Sequence, residues 1–172
     1  MMMDFTHFNT AGYARMVDVS EKTDTVRIAT AQAVVRMQPA TLQTIRNGGI
    51  KKGDVLAVAQ VAGIMGAKQT AGFIPMCHPL MLTSVDISFA INEPDASITI
   101  CCQVKTTGKT GVEMEAISGA SIAAMTVYDM TKAIDRWMEI SDIRLLEKSG
   151  GKSGHVKREQ LGEGIPCIKQ QF

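Results

Sequence analysis

Two runs of period-two alternation leave little freedom at the centre of this chain. Val85, Ile87, Phe89 and Ile91 alternate with Ser84, Asp86, Ser88 and Ala90. After Asn92-Glu93-Pro94-Asp95, Ile98, Ile100, Cys102 and Val104 alternate with Thr99, Cys101, Gln103 and Lys105. Successive side chains of a strand point to opposite faces, so each run has one apolar face, and the polar turn between them makes an antiparallel hairpin. Such a sheet calls for helices on one face and tolerates a more polar opposite face.

The flanking sequence supplies those helices. From Thr110 to Lys132, Ala116, Ala120, Ala123, Val127, Met130 and Ile134 fall on one stripe at 100° per residue. The T-x-x-E spacing of Thr110 and Glu113 predicts a capping box at its start. Val55–Lys68, capped by Asp54, is apolar nearly all round and reads as a buried helix, with Gly63 and Gly66 marking close approach by another backbone. Pro39 before Leu42 and Ile45, with Gly48-Gly49 after them, marks a short helix. Thr25–Met37 reads as a strand, as does the segment around Ile143-Arg144-Leu145, and Met16–Val19 as a possible short strand. Gly72–Pro79 is a loop stiffened by two prolines, and Lys148–His155 a glycine-rich loop that should move when empty. The order β-α-α-β-β-α-β gives an α+β fold, a ferredoxin-like antiparallel sheet with helices packed on one face. We expect an N-terminal arm over residues 1–22, a single catalytic domain over 23–158 and a tail over 159–172.

Composition excludes several functions. A net charge of +1 without a basic block gives nucleic acid or membrane surfaces no electrostatic footing. Aromatics at 5% are too few for a base-stacking platform. No apolar run approaches the roughly 20 residues of a membrane span, and the N-terminus does not read as a signal peptide. Cys77, Cys101, Cys102 and Cys167 contain no C-x-x-C, so reduced thiols in a cytoplasmic protein, with no metal, are expected.

The polar residues with chemical capacity are few. Gly108-Lys109-Thr110 and Gly151-Lys152-Ser153 fail as P-loops, because Gln103 and Leu146 stand where the motif needs glycine. Taken singly each is a solvated turn; with Lys51, Lys52 and Lys68 they favour an anionic small molecule. Asp129 and Lys132 share a helix face at i, i+3, and are either a surface ion pair or an acid/base pair whose lysine loses its proton near neutrality. His78, held between two prolines, is a hydrogen-bonded loop residue or a general acid/base. Glu113 has the capping box as its structural explanation, and Glu115 the helix dipole. Glu115 and Asp129 are separated by 14 residues of one helix, about 21 Å at 1.5 Å per residue. If both serve one small substrate, the site must be shared between chains.

The same residues carry a family resemblance. Met16–Val19, Lys52-Gly53-Asp54, Ala62-Gly63-Ile64, Ala67-Lys68, Ile74–Leu80, Thr107–Glu115, Tyr128–Ala133 and Lys148–Gly154 resemble the MoaC family, the cyclic pyranopterin monophosphate synthases, over roughly Thr6 to Lys157. The resemblance implies conversion of (8S)-3',8-cyclo-7,8-dihydroguanosine 5'-triphosphate to cyclic pyranopterin monophosphate, with release of pyrophosphate, in molybdenum cofactor biosynthesis. It implies a hexamer built as a trimer of dimers, an active site at the dimer interface, and no cofactor. Position by position it implies that Asp129 and Lys132 are catalytic. It also implies that Met76, Cys77, His78, Glu113, Met114 and Glu115 line the substrate, and that Lys52, Lys68, Lys148 and Lys152 surround the triphosphate and the rearranging ring. Gly72, Phe73, Met76, Ser118, Gly119 and Thr131 depart from the family pattern without removing a charged site residue. The competing readings are a non-catalytic nucleotide-binding module and an RNA-binding ferredoxin-like domain; the first leaves the matching acids and His78 unexplained, and the neutral charge disfavours the second.

Overall fold

The computed structural model describes residue 9 and residues 11–158. The expected tail with Cys167 and the first residues of the expected arm lie outside the described residues. Strand β1 (Thr25–Arg36) is followed by helices α1 (Pro39–Arg46), α2 (Val55–Lys68) and the one-turn α3 (Thr70–Phe73). Then come β2 (Leu82–Asn92), β3 (Ser97–Gly108), helix α4 (Glu113–Thr131), β4 (Glu139–Ser149) and the two-residue β5 (Val156–Lys157). The sheet order is β2-β3-β1-β4-β5, with every neighbouring pair antiparallel. Its first four strands have the order of the ferredoxin-like split βαβ pattern. Among the described residues no helix is long and apolar enough to cross a membrane.

The apolar face of the hairpin is realised on β3, but Thr99 and Cys101 on its opposite face are buried as well, and Ile91 of β2 is exposed. Ile98, Ile100, Cys102 and Val104 are fully buried, and across the ladder they face Val35, Ala33, Ala31 and Ala29 of β1. Large side chains on β3 thus stand beside mostly small ones on β1. The hollow this leaves is filled by α4, whose Ala116, Ala120, Ala123 and Val127 are also fully buried. Alanine on both surfaces lets the helix lie close to the sheet. The contact between α2 and α4 is tighter still: a Cβ on Gly63 would run into the Ile87 side chain and stand 2.8 Å from the Gly119 carbonyl oxygen. Gly63 meets Ala123 while Ala67, one turn on, meets Gly119, so the two helices run antiparallel. Asp54 caps α2 by accepting from the N–H groups of Leu56 and Ala57. At the start of α1 the cap comes from far away: buried Asp135 accepts from the N–H of Gln38 at 2.8 Å and the hydroxyl of Thr41 at 3.2 Å.

Several expectations are corrected. The capping box does not form: α4 starts at Glu113 after Val112, with no side-chain cap. Glu113 instead pairs with Lys148, a charge-assisted bond to an ammonium that the backbone N–H of Thr110 cannot match. Ile134 lies past the end of α4 and is 55% exposed. Helix α2 is not buried all round, because Val58, Val61 and Met65 form an exposed apolar stripe. One chain supplies partners for only one side of this helix. Met16–Val19 makes no strand. Lys148 and Ser149, read as loop, belong to β4, which runs on to form a short hairpin with β5. Cys77 and Cys102 are free thiols, whereas Cys101 is disulfide-bonded, so the expectation of four reduced thiols fails there.

Gly63→Ala should lower stability by about 1–3 kcal/mol, the usual penalty of overpacking a close contact. Gly72→Ala, where no atom lies within 4 Å of the added Cβ, should change it little. Urea unfolding of both variants measures the contrast, and equal effects would show that the helix contact is not the tight point.

Candidate active site

The two ends of α4 carry two separate clusters. At its N-terminal end, Met76, Cys77 and His78 from the proline-bracketed loop meet Glu113, Met114 and Glu115 around a cavity of about 330 Å³, with Val17, Val19 and Lys22 on its far wall. A second cavity of about 280 Å³ adjoins it and shares Lys22, Thr110, Gly111 and Glu113. It is lined by Arg27, Lys109, Lys148 and Lys152 besides. The loop and the helix N-terminus lie more than 30 residues apart in sequence, and β2 and β3 return the chain between them.

The environment sorts the two carboxylates. Glu113 accepts from Lys148 Nζ at 2.8 Å and stands in the polar cavity. Glu115 is only 4% exposed. Burial pushes its carboxyl above the ordinary range, its backbone hydrogen bond opposes the rise, and the neighbouring charge of Glu113 adds to it. Cys77 is likewise pushed up, first by burial and then by the charge of Glu115, so its thiol is a neutral group and not a thiolate nucleophile. His78 Nε2 lies 2.8 Å from the carbonyl oxygen of Val17. A carbonyl only accepts, so Nε2 carries the hydrogen, and Nδ1 is the ring nitrogen left to face the cavity. The Met16–Val19 segment, expected as a strand, serves here as the strap that fixes this tautomer.

At the C-terminal end of α4 stands the other cluster. Lys132 Nζ donates to Asp129 Oδ1 at 2.6 Å, and Lys52 Nζ donates to the Asp129 carbonyl oxygen at 2.9 Å while lying 3.5 Å from Oδ2. The hydrogen bond from Lys132, then its charge, then that of Lys52 hold the Asp129 carboxyl below the usual range. The same bond and charge raise Lys132. Of the two readings the sequence left open, the single chain has the surface ion pair: an ammonium beside a carboxylate. All three side chains are at least half exposed, so their mutual attraction alone adds little to stability.

Of the residues singled out from the sequence, the structure thus joins Met76, Cys77, His78, Glu113, Met114, Glu115, Lys148 and Lys152 at one end. It joins Lys52, Asp129 and Lys132 at the other. Lys68 lies in neither group; it is exposed at the end of α2, and the antiparallel crossing puts it toward the Glu115 end. Sequence reasoning missed Lys22 and Arg27, and had Lys109 only as part of a Gly-Lys turn favouring an anionic ligand. Arg27 had a signal: it shares the parity of Ala29, Ala31 and Ala33, a charge on the apolar phase of its strand. Lys22 had none.

The sign of the Glu115 shift gives a test. Its carboxyl ionises at lower pH in the unfolded chain than in the folded one. The folded state therefore binds more protons between the two values, and stability falls as pH rises through that interval. Glu115→Gln should remove this loss, raising Tm at pH 7 relative to wild type and much less at pH 4. Equal shifts at both pH values would mean that Glu115 is not held neutral by burial.

The chain matches the MoaC family model over residues 16–151. It is 70% identical over 157 residues to the cyclic pyranopterin monophosphate synthase of Syntrophomonas wolfei subsp. wolfei, covering 91% of this chain and 100% of the relative. To the protein of that name from Desulfitobacterium hafniense it is 62% identical over 157 residues, 91% of this chain and 96% of the relative. To that from Heliobacterium modesticaldum it is 57% identical over 159 residues, 92% and 100% of the two chains.

Proposed function

The chain belongs to the MoaC family, and from that premise and its two clusters we propose how it acts as a cyclic pyranopterin monophosphate synthase. It is a lyase of molybdenum cofactor biosynthesis. The observation that carries the mechanism is the convergence of the two most distinctive sequence blocks, Ile74–Leu80 and Thr107–Glu115, around one cavity that opens beside a cationic one. A heterocycle with a polyphosphate chain needs such a pair of compartments. The substrate is the cyclised dihydro-GTP, with the ring against Met76, Cys77, His78, Met114 and Glu115, and the phosphates toward Lys148 and Lys152.

The reaction opens and rebuilds a purine-derived ring, then forms a cyclic phosphate. Ring opening and closure move protons between nitrogen, oxygen and carbon, which positioned acids and bases accelerate. Lys132, held protonated by Asp129, is the donor. Asp129, held ionised, is the acceptor that takes the proton back. His78 offers Nδ1 as a second acceptor at the ring. A ribose-derived hydroxyl then attacks the α-phosphorus as the bond to pyrophosphate breaks, and the lysines offset charge on the leaving group.

One chain does not bring these groups together. Glu115 and Asp129 stand about 21 Å apart along a straight helix, so the Asp129-Lys132-Lys52 cluster of one copy must serve the ring cavity of another. The exposed stripe of Val58, Val61 and Met65, with Met125 of α4 49% exposed, supports an interface between copies on the helical layer. The assembly is a dimer with shared sites, three such dimers making a hexamer, acting in the cytoplasm.

Wild type should release pyrophosphate from the cyclised dihydro-GTP, and Lys132→Ala should lose that turnover by a factor of 10² or more, the usual worth of a positioned acid, while still binding substrate. Tight binding with no wild-type turnover would favour a nucleotide-binding module instead. Mixing Asp129→Asn with Glu115→Gln subunits should restore activity, since a mixed dimer holds one intact site. No restoration after proven subunit exchange would count against sharing.

A further inference from the structure

We propose that Asp135 is a positioning residue for the reaction: from the turn after α4 it holds α1, and through α1 it sets where Lys52 stands against Asp129 and Lys132. The inference rests on the reading of those three side chains as reaction groups. The trio is assembled from two pieces of chain. Asp129 and Lys132 belong to the end of α4, whereas Lys52 comes from the loop after α1 and donates to the Asp129 carbonyl oxygen across 77 positions of sequence. Lys52 and Asp129 are both at least half exposed, and such a contact is too weak to fix the two pieces to each other. Helix α1 is itself lightly held: it buries Thr41, Leu42 and Ile45 and has no side-chain cap of its own. Among the described residues, the other polar tie between the α1 segment and the end of α4 is Asp135.

Asp135 is 3% exposed, and its two oxygens have separate tasks. Oδ2 accepts from the Gln38 N–H at 2.8 Å and the Thr41 hydroxyl at 3.2 Å, both at the start of α1. Oδ1 accepts from the Trp137 N–H at 3.2 Å, within the turn. A carboxylate supplies both acceptors, where an asparagine has one acceptor oxygen. The turn is fastened to α4 as well. The Asp135 N–H donates to the Thr131 carbonyl oxygen at 3.2 Å, and the Tyr128 hydroxyl to the Arg136 carbonyl oxygen at 3.1 Å. Tyr128 and Thr131 are the sequence neighbours of Asp129 and Lys132, so the turn and these two groups are one body. On the other side, the Gly49 N–H donates to the Thr44 carbonyl oxygen and the Gly53 N–H to that of Ile50, each at 3.0 Å. These bonds close the Lys52 loop onto α1. Asp135 is thus the buried joint between the body that carries Asp129 and Lys132 and the body that carries Lys52. Misplacing a reacting group by about 1 Å can cost roughly 10²-fold in rate, so such a joint bears on turnover and not on stability alone.

Two readouts test this: steady-state turnover of the cyclised dihydro-GTP, and the fluorescence anisotropy of Trp137, the chain's one tryptophan. Asp135→Ala should lower kcat about tenfold with KM within about threefold of wild type, and should lower the anisotropy as the turn loosens. Asp135→Asn, which keeps an oxygen for α1, should recover most of kcat. In a Lys52→Ala background, Asp135→Ala should cost less than about threefold more, because its effect passes through Lys52. Gly63→Ala, which strains the crossing of α2 and α4 instead, should leave kcat within about twofold of wild type at a temperature where both variants are folded. Thr41→Val removes one of the two bonds to α1 and should lower kcat severalfold; it decides the matter if Asp135→Ala fails to fold. Wild-type kcat in Asp135→Ala and Thr41→Val, with turnover lost in Lys132→Ala, would overturn the proposal and leave the synthase reading standing. Fully additive losses in the Lys52→Ala background would do the same. Undiminished turnover in Lys52→Ala and Lys132→Ala would remove the reaction role of the cluster, and the proposal with it.

Discussion

Everything in this fold hangs on how closely α4 can lie against the sheet and against α2. Its buried face is mostly small residues, with Ala116, Ala120, Ala123 and Ala124 beside Val127 and Met130, and the strand beneath it, β1, presents alanine at three of four core positions. Gly63 and Gly119 then let the two helices touch backbone to backbone. Small residues give little buried area each, so stability here comes from dense contact over a long helix and not from large side chains. The consequence is a rigid rod of 19 residues whose two ends cannot approach each other. The same packing that fixes the core fixes the separation of the charged clusters.

The charges at those ends are arranged in opposite ways. Asp129 sits in the open between two ammonium groups, which keeps it ionised and keeps Lys132 protonated. Glu115 sits beside the cavity of Met76, Cys77 and His78 without an ion-pair partner among the described residues, and burial favours its neutral form. Glu113, two residues before it, is matched by Lys148 from β4. Three carboxylates on one helix thus have three environments, which is the condition under which like groups can divide acid, base and binding roles.

The fold was legible because its signals are local and periodic: the alternation of β2 and β3, the Asp54 cap, and the Pro39 start each depend on residues within a few positions. Where the reading failed, a distant partner had intervened. Thr110 and Glu113 have capping spacing, but Lys148, 35 residues on, holds the glutamate. Helix α1 has no local cap, since Asp135 supplies it from beyond α4. Arg27 comes to line the polar cavity only because the turn at Lys109 and the glycines at 150 and 151 close around it. The motifs that resemble the MoaC family named most of the cavity lining, yet the spacing along α4 was what separated that lining into two groups.

The exposed apolar stripe follows from the same geometry. A helix in a ferredoxin-like layer is covered by the sheet below and its neighbour beside it, and its outer face ordinarily turns polar. On α2 that outer face carries Val58, Val61 and Met65, and each is more than 40% exposed. Leaving such a stripe in water forgoes roughly 25 cal/mol for each Å² that a partner would cover. Under the proposed sharing of sites, the charged ends of α4 take groups from elsewhere, and the face of its neighbour is the one left uncovered. A second copy of the chain meets both needs at once, provided the helical layers pack so that the Asp129 end of one lies over the Glu115 end of the other. The helix length then ceases to be an obstacle and becomes the spacing between two equivalent sites related by a twofold axis.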